Sequence, residues 1–333
     1  MPRMSPPSFA LSVLDLAPVV SGTPAAVSIR RTVDLAQLAE RLGYVRIWYA
    51  EHHAMPSVAS SAPEILIAHS AAATRHIRVG SGGVMLPNHA PLRVAENFHT
   101  LEALYPGRID LGIGRAPGGV PGASRALRAV RGDLFVQMLD ELQRYSRGDA
   151  TGGFDDVHAE PGGVGCPPIW LLGSSGASAR MAGEDGMGYS FAAHFSPAPP
   201  APAMHAYRQH FRPSPQFARP HAILGVAAVC ADRETQAREL ASTMELAWLR
   251  IHSGRFLPLP SPEEAMAYPY SDYEREALEE VRARTIVGTP AQVRARIEAL
   301  AGETAADEVM IVSNIHDHAA RLRSYELIAA AFA

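Results

Sequence analysis

Short apolar runs recur along the chain at Phe9–Leu16, Val45–Ala50, Ile77–Met85, Ile109–Gly114, Ile169–Leu172, Tyr189–Ala193, Ile223–Ala228 and Glu308–Ser313. They are rich in β-branched and aromatic residues and nearly continuously apolar, as expected of parallel strands covered on both faces. Between them the period changes. Leu35, Leu38, Ala39 and Leu42 share one helical face, and Gly43 follows as a terminating residue would. Val94, Phe98, Leu101 and Tyr105 repeat that pattern ahead of Pro106-Gly107. Thr289 before Pro290 predicts an N-cap and first turn for a helix through Leu300. Eight strands alternating with helices predict an α/β fold, a (β/α)8 TIM barrel; an open doubly wound sheet is the alternative.

The length of 333 residues suits one barrel domain over residues 1–333. Two stretches break the rhythm: residues 196–220 are rich in proline, and residues 250–285 mix prolines, aromatics and a charged tail. On the carboxyl side of a barrel such insertions form lids or substrate walls.

Charge narrows the partners. The net charge of -4 offers no basic field for nucleic acid or an anionic membrane. No apolar run reaches the roughly 18 residues of a membrane-spanning helix, and Met1–Ala10 lacks the apolar region of a secretory signal. A cytoplasmic protein is expected, with Cys166 and Cys230 both reduced. Neither cysteine has the spacing of a zinc site, and no metal is expected.

Chemistry concentrates where strands end. Glu51-His52-His53 directly follows the second strand, where barrels present catalytic side chains. Imidazoles there can donate, accept or exchange a proton near neutral pH. Neighbouring residues on a strand face opposite sides, so one metal is not easily shared by both histidines. Gly80-Ser81-Gly82-Gly83 interrupts the third strand, and glycines inside a strand mark a bulge or the close approach of a ligand. Neither a P-loop nor a dinucleotide fingerprint is present. Arg115 leaves the fourth strand among glycines, placed to grip an anion. Gly173-Ser174-Ser175-Gly176-Ala177-Ser178 leaves the fifth, where a helix start would form an anion cradle. Two strand ends with anion chemistry point to a phosphate-bearing cofactor. The lack of a nucleophile elbow argues against a serine hydrolase.

Four ordered motifs give the chain a family resemblance. Trp48-Tyr49-Ala50-Glu51-His52-His53, Val79 through Pro87, Gly107 through Arg115, and Val287-Gly288-Thr289-Pro290 together resemble the bacterial luciferase-like flavin monooxygenases. The resemblance covers nearly the whole chain. It implies a barrel that binds reduced FMN from a separate flavin reductase and uses O2 to oxidise a small or medium apolar substrate. It also implies a homodimer paired through barrel helices. His52 matches the family histidine that assists the oxygen chemistry, with Glu51 and His53 supporting it. Ser81, Gly82 and Gly83 match the backbone beneath the flavin ring, where a non-proline cis peptide is implied at Gly82-Gly83. Arg115 matches a phosphate ligand, and Gly173, Ser174, Ser175 and Ser178 match the phosphate loop. Trp48, Tyr49 and the two insertions are expected to wall the substrate, and His89 to reach the pocket. Ser174 stands where luciferases carry a carboxylate, and the segment after strand seven differs from their mobile loop, so the resemblance does not extend to light emission or to a long-chain aldehyde substrate. F420-dependent hydride transfer and a flavin-binding protein without turnover are the alternatives.

Overall fold

The computed structural model describes residues 9–147 and 157–333. Most of the Met1–Ala10 segment therefore lies outside the described residues. In chain order the elements are β1 (Ala10–Asp15), α1 (Ala25–Arg41), β2 (Arg46–Tyr49), α2 (Pro63–Ala73), β3 (Arg78–Ser81), β4 (Val84–Met85), α3 (Pro91–Leu104), β5 (Ile109–Gly114), α4 (Pro121–Ala126) and α5 (Phe135–Tyr145). There follow β6 (Ile169–Gly173), α6 (Gly176–Glu184), β7 (Gly188–Ala192), α7 (Pro200–His210), β8 (Ala222–Cys230), α8 (Glu234–His252), α9 (Pro262–Ala267), α10 (Asp272–Arg284), β9 (Thr285–Gly288), α11 (Pro290–Thr304), β10 (Glu308–Val312) and α12 (His318–Phe332).

Every ladder is parallel. The order β10-β1-β2-β3-β5-β6-β7-β8 closes on itself because β10 also pairs with β8. The result is the predicted eight-stranded (β/α)8 barrel. All eight sequence-derived strands are present, but the third is broken in two. Beyond β3 the chain crosses a cis peptide at Gly82-Gly83 and resumes as β4, which pairs with β5 through Val84 and Ile113. A β-carbon on Gly82 would come within 2.8 Å of Leu14 and 2.9 Å of Trp48, so only glycine admits this close crossing. The short β9 lies outside the closed barrel, paired with the far end of β8 from Ala227 to Cys230.

Side chains alternate between two cores, as a strand's period of two requires. Val13, Ile47, Tyr49, Leu111, Phe191 and Ile311 face outward into the layer beneath the helices. Leu14, Trp48, Ala50, Trp170, Ile223 and Met310 face inward and fill the barrel. Near the amino ends of the strands the interior is charged. Arg46 donates to Glu308 at 2.7 Å and to Asp110 at 2.7 Å, and Arg78 donates to the other Asp110 oxygen at 2.6 Å. The Arg46 guanidinium also lies 4.6 Å from the Trp170 ring centroid. Burial alone would raise the pKa of Asp110 and of Glu308, but the Arg46 charge outweighs it and holds both below the ordinary carboxylate range.

One of the two sequence expectations about the irregular stretches needs correction. Residues 196–220 hold α7, an ordinary barrel helix that buries Ala203, Met204 and Tyr207; its prolines sit at the helix start, where a missing N–H costs nothing. Residues 250–285 are a true excursion, containing α9 and α10. Leu259 bridges to Val20 in the loop after β1, placing this stretch at the carboxyl face. Thr289 starts α11 as expected, with Gln292 Oε1 accepting from the Thr289 N–H at 2.9 Å, though the helix runs on to Thr304. Cys166 and Cys230 are free and buried. Among the described residues no helix is long and apolar enough to cross a membrane.

Candidate active site

At the carboxyl ends of the strands, Glu51 organises the loops. Its side chain is fully buried, yet it accepts from His53 Nε2 at 2.8 Å, His89 Nε2 at 2.9 Å, Asn88 Nδ2 at 3.2 Å and the Met85 N–H at 2.9 Å. One carboxylate thus ties the loop after β2 to the segment after β4. Burial would raise its pKa, but the His89 and His53 contacts prevail and keep it ionised below the usual range. The His89 imidazole is raised in turn: burial opposes its charge, and Glu51 outweighs burial. His53 further pairs its backbone with Gly119 in the loop after β5, its N–H donating to Gly118 O at 2.8 Å.

His52 is different. Its N–H donates to Ser60 O at 2.9 Å, but its buried Nδ1 has no partner. Burial lowers its pKa, with Glu51 pulling up and His53 pulling down, so the ring is neutral at pH 7. Continuing the inward alternation of Trp48 and Ala50 puts His52 on the inner wall of the barrel mouth.

The proposed anion side lies on neighbouring strands. β5 and β6 pair Ile113 with Leu171, and continuing that register sets Arg115 level with Gly173. Arg115 is exposed and forms no ion pair among the described residues. Beside it Ser175 caps α6, accepting from the Ser178 N–H at 3.4 Å, while Ser178 Oγ donates to Ser175 O at 2.9 Å. Ser174 and Ser178 are half-buried, and the N–H groups of Gly176 and Ala177 open the helix with no intrahelical partner. An uncompensated cation beside a helix N-terminus suits a phosphate.

Two expected roles do not match the side-chain directions. Trp48 is fully buried, donating to Asp110 at 3.2 Å within the barrel floor. Tyr49 is equally buried but points outward to Ser70, at 2.6 Å. Neither walls a substrate, because both lie below the rim and are covered by packing. Ser81 also faces outward; its hydroxyl donates to Gly112 O at 2.9 Å and accepts from Gly112 N at 3.0 Å, so it stitches β3 to β5. His89 does join the cluster, through Glu51.

Two polar residues at the mouth escaped the sequence reading. His194 follows β7 and Asn314 follows β10; His194 Nδ1 and Asn314 Oδ1 are buried without partners. Both continue the inward-facing series of their strands, a period-two signal that could have found them. Among the described residues no cluster of three or more metal-ligating side chains occurs.

A parallel eight-stranded barrel with the neutral His52, the unpaired Arg115 and a helix N-terminus at its carboxyl mouth carries its polar groups where α/β-barrel enzymes build their active sites. The luciferase-like monooxygenase family model matches residues 9–308. The chain belongs to that family, and its relatives point to a flavin-dependent monooxygenase. It is 48% identical to the uncharacterised protein YvbT of Bacillus subtilis (strain 168), over 96% of this chain and 95% of that one. A luciferase-like monooxygenase of Escherichia coli (strain K12) is 41% identical, with 97% of each chain covered. The crystal structure of apo-MsnO8 superposes with a TM-score of 0.90 at 43% identity, covering 97% of each chain. More distant structures share the fold: the oxygenating constituent of 3,6-diketocamphane monooxygenase in complex with FMN (TM-score 0.69, 19% identity, 96% and 97% covered) and an F420-dependent secondary alcohol dehydrogenase (TM-score 0.71, 13% identity, 98% and 99% covered).

Proposed function

We propose that the protein is an FMN-dependent monooxygenase that takes reduced FMN from a separate flavin reductase and uses O2 to oxidise a small or medium, largely apolar molecule. The observation that carries this is the sharing of one barrel mouth by the unpartnered His52 imidazole, the Gly82-Gly83 crossing and the unpaired Arg115 beside the α6 N-terminus. In this reading Gly82 and Gly83 would hold the flavin ring. Its phosphate is held by Arg115, the hydroxyls of Ser174, Ser175 and Ser178, and the first N–H groups of α6, with Gly173 shaping the loop. Reduced flavin supplies the electrons for oxygen chemistry; the chain binds and orients it, and the buried mouth limits water. His52, neutral and lacking a protein partner on Nδ1, exchanges a proton at the reacting oxygen. Glu51 and His53 hold the loop that carries it. The assembly we propose is a pair of chains docked through barrel helices, to which α2 contributes Ile65, 66% exposed.

Titration with reduced FMN and with reduced F420 tests the cofactor. Saturable FMN binding is expected, and binding of F420 alone overturns the assignment in favour of hydride transfer. The role of His52 is tested by His52→Ala, which should slow reaction of the bound reduced flavin with oxygen by about 10²–10⁴-fold while FMN affinity holds within about twofold. Equal losses in single-turnover kinetics and in FMN titration would remove His52 from the chemistry.

A further inference from the structure

From β7 through β8 and β10 to β1, the residues that continue the inward-facing series of the strands into the mouth are uncharged among the described residues. Along β7 the outward residues Tyr189 and Phe191 belong to the outer core, so Ser190, Ala192 and then His194 face inward. The His194 ring hangs over β8: a β-carbon on Gly225 would come within 3.1 Å of His194 Nδ1, so a glycine there makes room for the ring. The His194 N–H is anchored to Gly225 O at 3.0 Å, but Nδ1 itself has no well-formed partner. On β10 the inward series Met310, Val312 continues to Asn314, whose Oδ1 is likewise buried and unpartnered. His52 supplies a third unpartnered atom from β2.

The charges at this end are turned away. Asp15 faces outward and pairs with Arg321 at 2.8 Å, and Glu51 is enclosed by His53 and His89. Burial pushes the His194 pKa down to about 4, against the pull of the Gly225 carbonyl and with His52 adding to the depression. The groups bearing on His52, namely Glu51, His53 and His194, leave it neutral as well. A carboxylate or sulfonate placed here would be buried with no counter-charge, a costly arrangement. Uncharged imidazoles and a carboxamide each offer both a donor and an acceptor, which suits a neutral oxygen.

We propose that His194, which faces His52 across the mouth, and Asn314, at the end of β10 between them, are specificity-determining residues that bind an uncharged oxygen-bearing head (a carbonyl or hydroxyl) on an otherwise apolar substrate. This rests on the flavin reading above only for the identity of the reaction; the recognition itself belongs to the chain without cofactor.

The test therefore begins with the cofactor-free protein, using 2-undecanone and undecanoate as a matched neutral and anionic pair. Histidine imidazole resonances followed by NMR should shift saturably with the ketone, and the ketone should bind at least about tenfold more tightly than the carboxylate. His194→Gln and Asn314→Ser should each weaken ketone binding about five- to tenfold, while FMN affinity, which also reports an intact fold, stays unchanged. Carboxylate binding as tight as ketone binding, no ketone binding at all, or variants that lose FMN rather than ketone would each overturn the proposal. Failure of FMN to bind the wild-type protein, with the ketone results intact, would instead overturn the flavin reading alone.

Discussion

The two ends of the barrel interior are built from opposite kinds of polarity. At the floor, Arg46, Asp110, Glu308 and Arg78 are ionised and joined by charge-assisted bonds of 2.6 to 2.7 Å. At the mouth, His52, His194 and Asn314 are uncharged and each keeps a buried atom without a protein partner. The floor has satisfied its charged groups with one another, though the Trp170 N–H beside them is left without a partner. At the mouth, the free energy forgone by unmade hydrogen bonds can be recovered when a ligand makes them. Buried polarity alone therefore does not mark a functional site; several unpartnered polar atoms gathered at the carboxyl mouth of a barrel are the stronger sign.

Breaking the floor should give the largest effect. Arg46→Met leaves Asp110 and Glu308 buried without their main cation, and should destabilise the fold by about 3–5 kcal/mol in denaturant titration. The sign with pH follows from the carboxylates. Both are held below their ordinary values, so their contribution is present above about pH 4 and is lost as pH falls through the lower folded values. Removing Arg46 should move the acid unfolding midpoint upward. A loss under about 1 kcal/mol would mean that the network is as weak as a surface ion pair.

At the rim, Glu51→Gln should have an intermediate effect, since the amide cannot accept from His53, His89 and Met85 N–H together. A loss of about 1–3 kcal/mol is expected. Its pH window is distinct. The folded pKa of His89 is raised, so the Glu51–His89 contribution is complete below about pH 6.5 and disappears as pH rises through the raised value. The folded pKa of Glu51 is lowered, so the contribution is also lost in strong acid. Stability curves of wild type and variant that stay parallel from pH 5 to 9 would show that the pair has no such role.

Much of this was legible from the chain. Parallel strands covered on both faces are apolar in both registers, which is why all eight stood out. The glycines at the third strand and the Glu-His-His run were visible because both violate strand propensity at a strand end. What failed was depth and direction. Trp48 and Tyr49 looked like pocket walls because aromatics near a catalytic run often are, but consecutive residues face opposite ways, so one fell into the barrel floor and the other behind the sheet. Ser81 is likewise the outward residue between two inward glycines, so its hydroxyl bonds to Gly112 and not toward the mouth. His194 was masked by the proline-rich stretch beside it, although counting in twos from Ser190 would have placed it inside.

The smallest effect sharpens the comparison most, because it sets the same residue type at the two ends. Arg46 is 5% exposed and bonded to two carboxylates; Arg115 is exposed and has no acidic partner among the described residues. An arginine of the first kind contributes to folding, whereas one of the second kind can contribute only when an anion arrives. Arg115→Met should thus leave the denaturation midpoint within about 0.5 kcal/mol of wild type and weaken FMN about five- to tenfold. Because the site is open to solvent, that difference should shrink as salt rises toward 1 M. Riboflavin, which lacks the phosphate, should bind wild type and variant alike. If riboflavin binding falls as far as FMN binding, Arg115 acts on the ring or the fold, and the mouth holds its anion elsewhere.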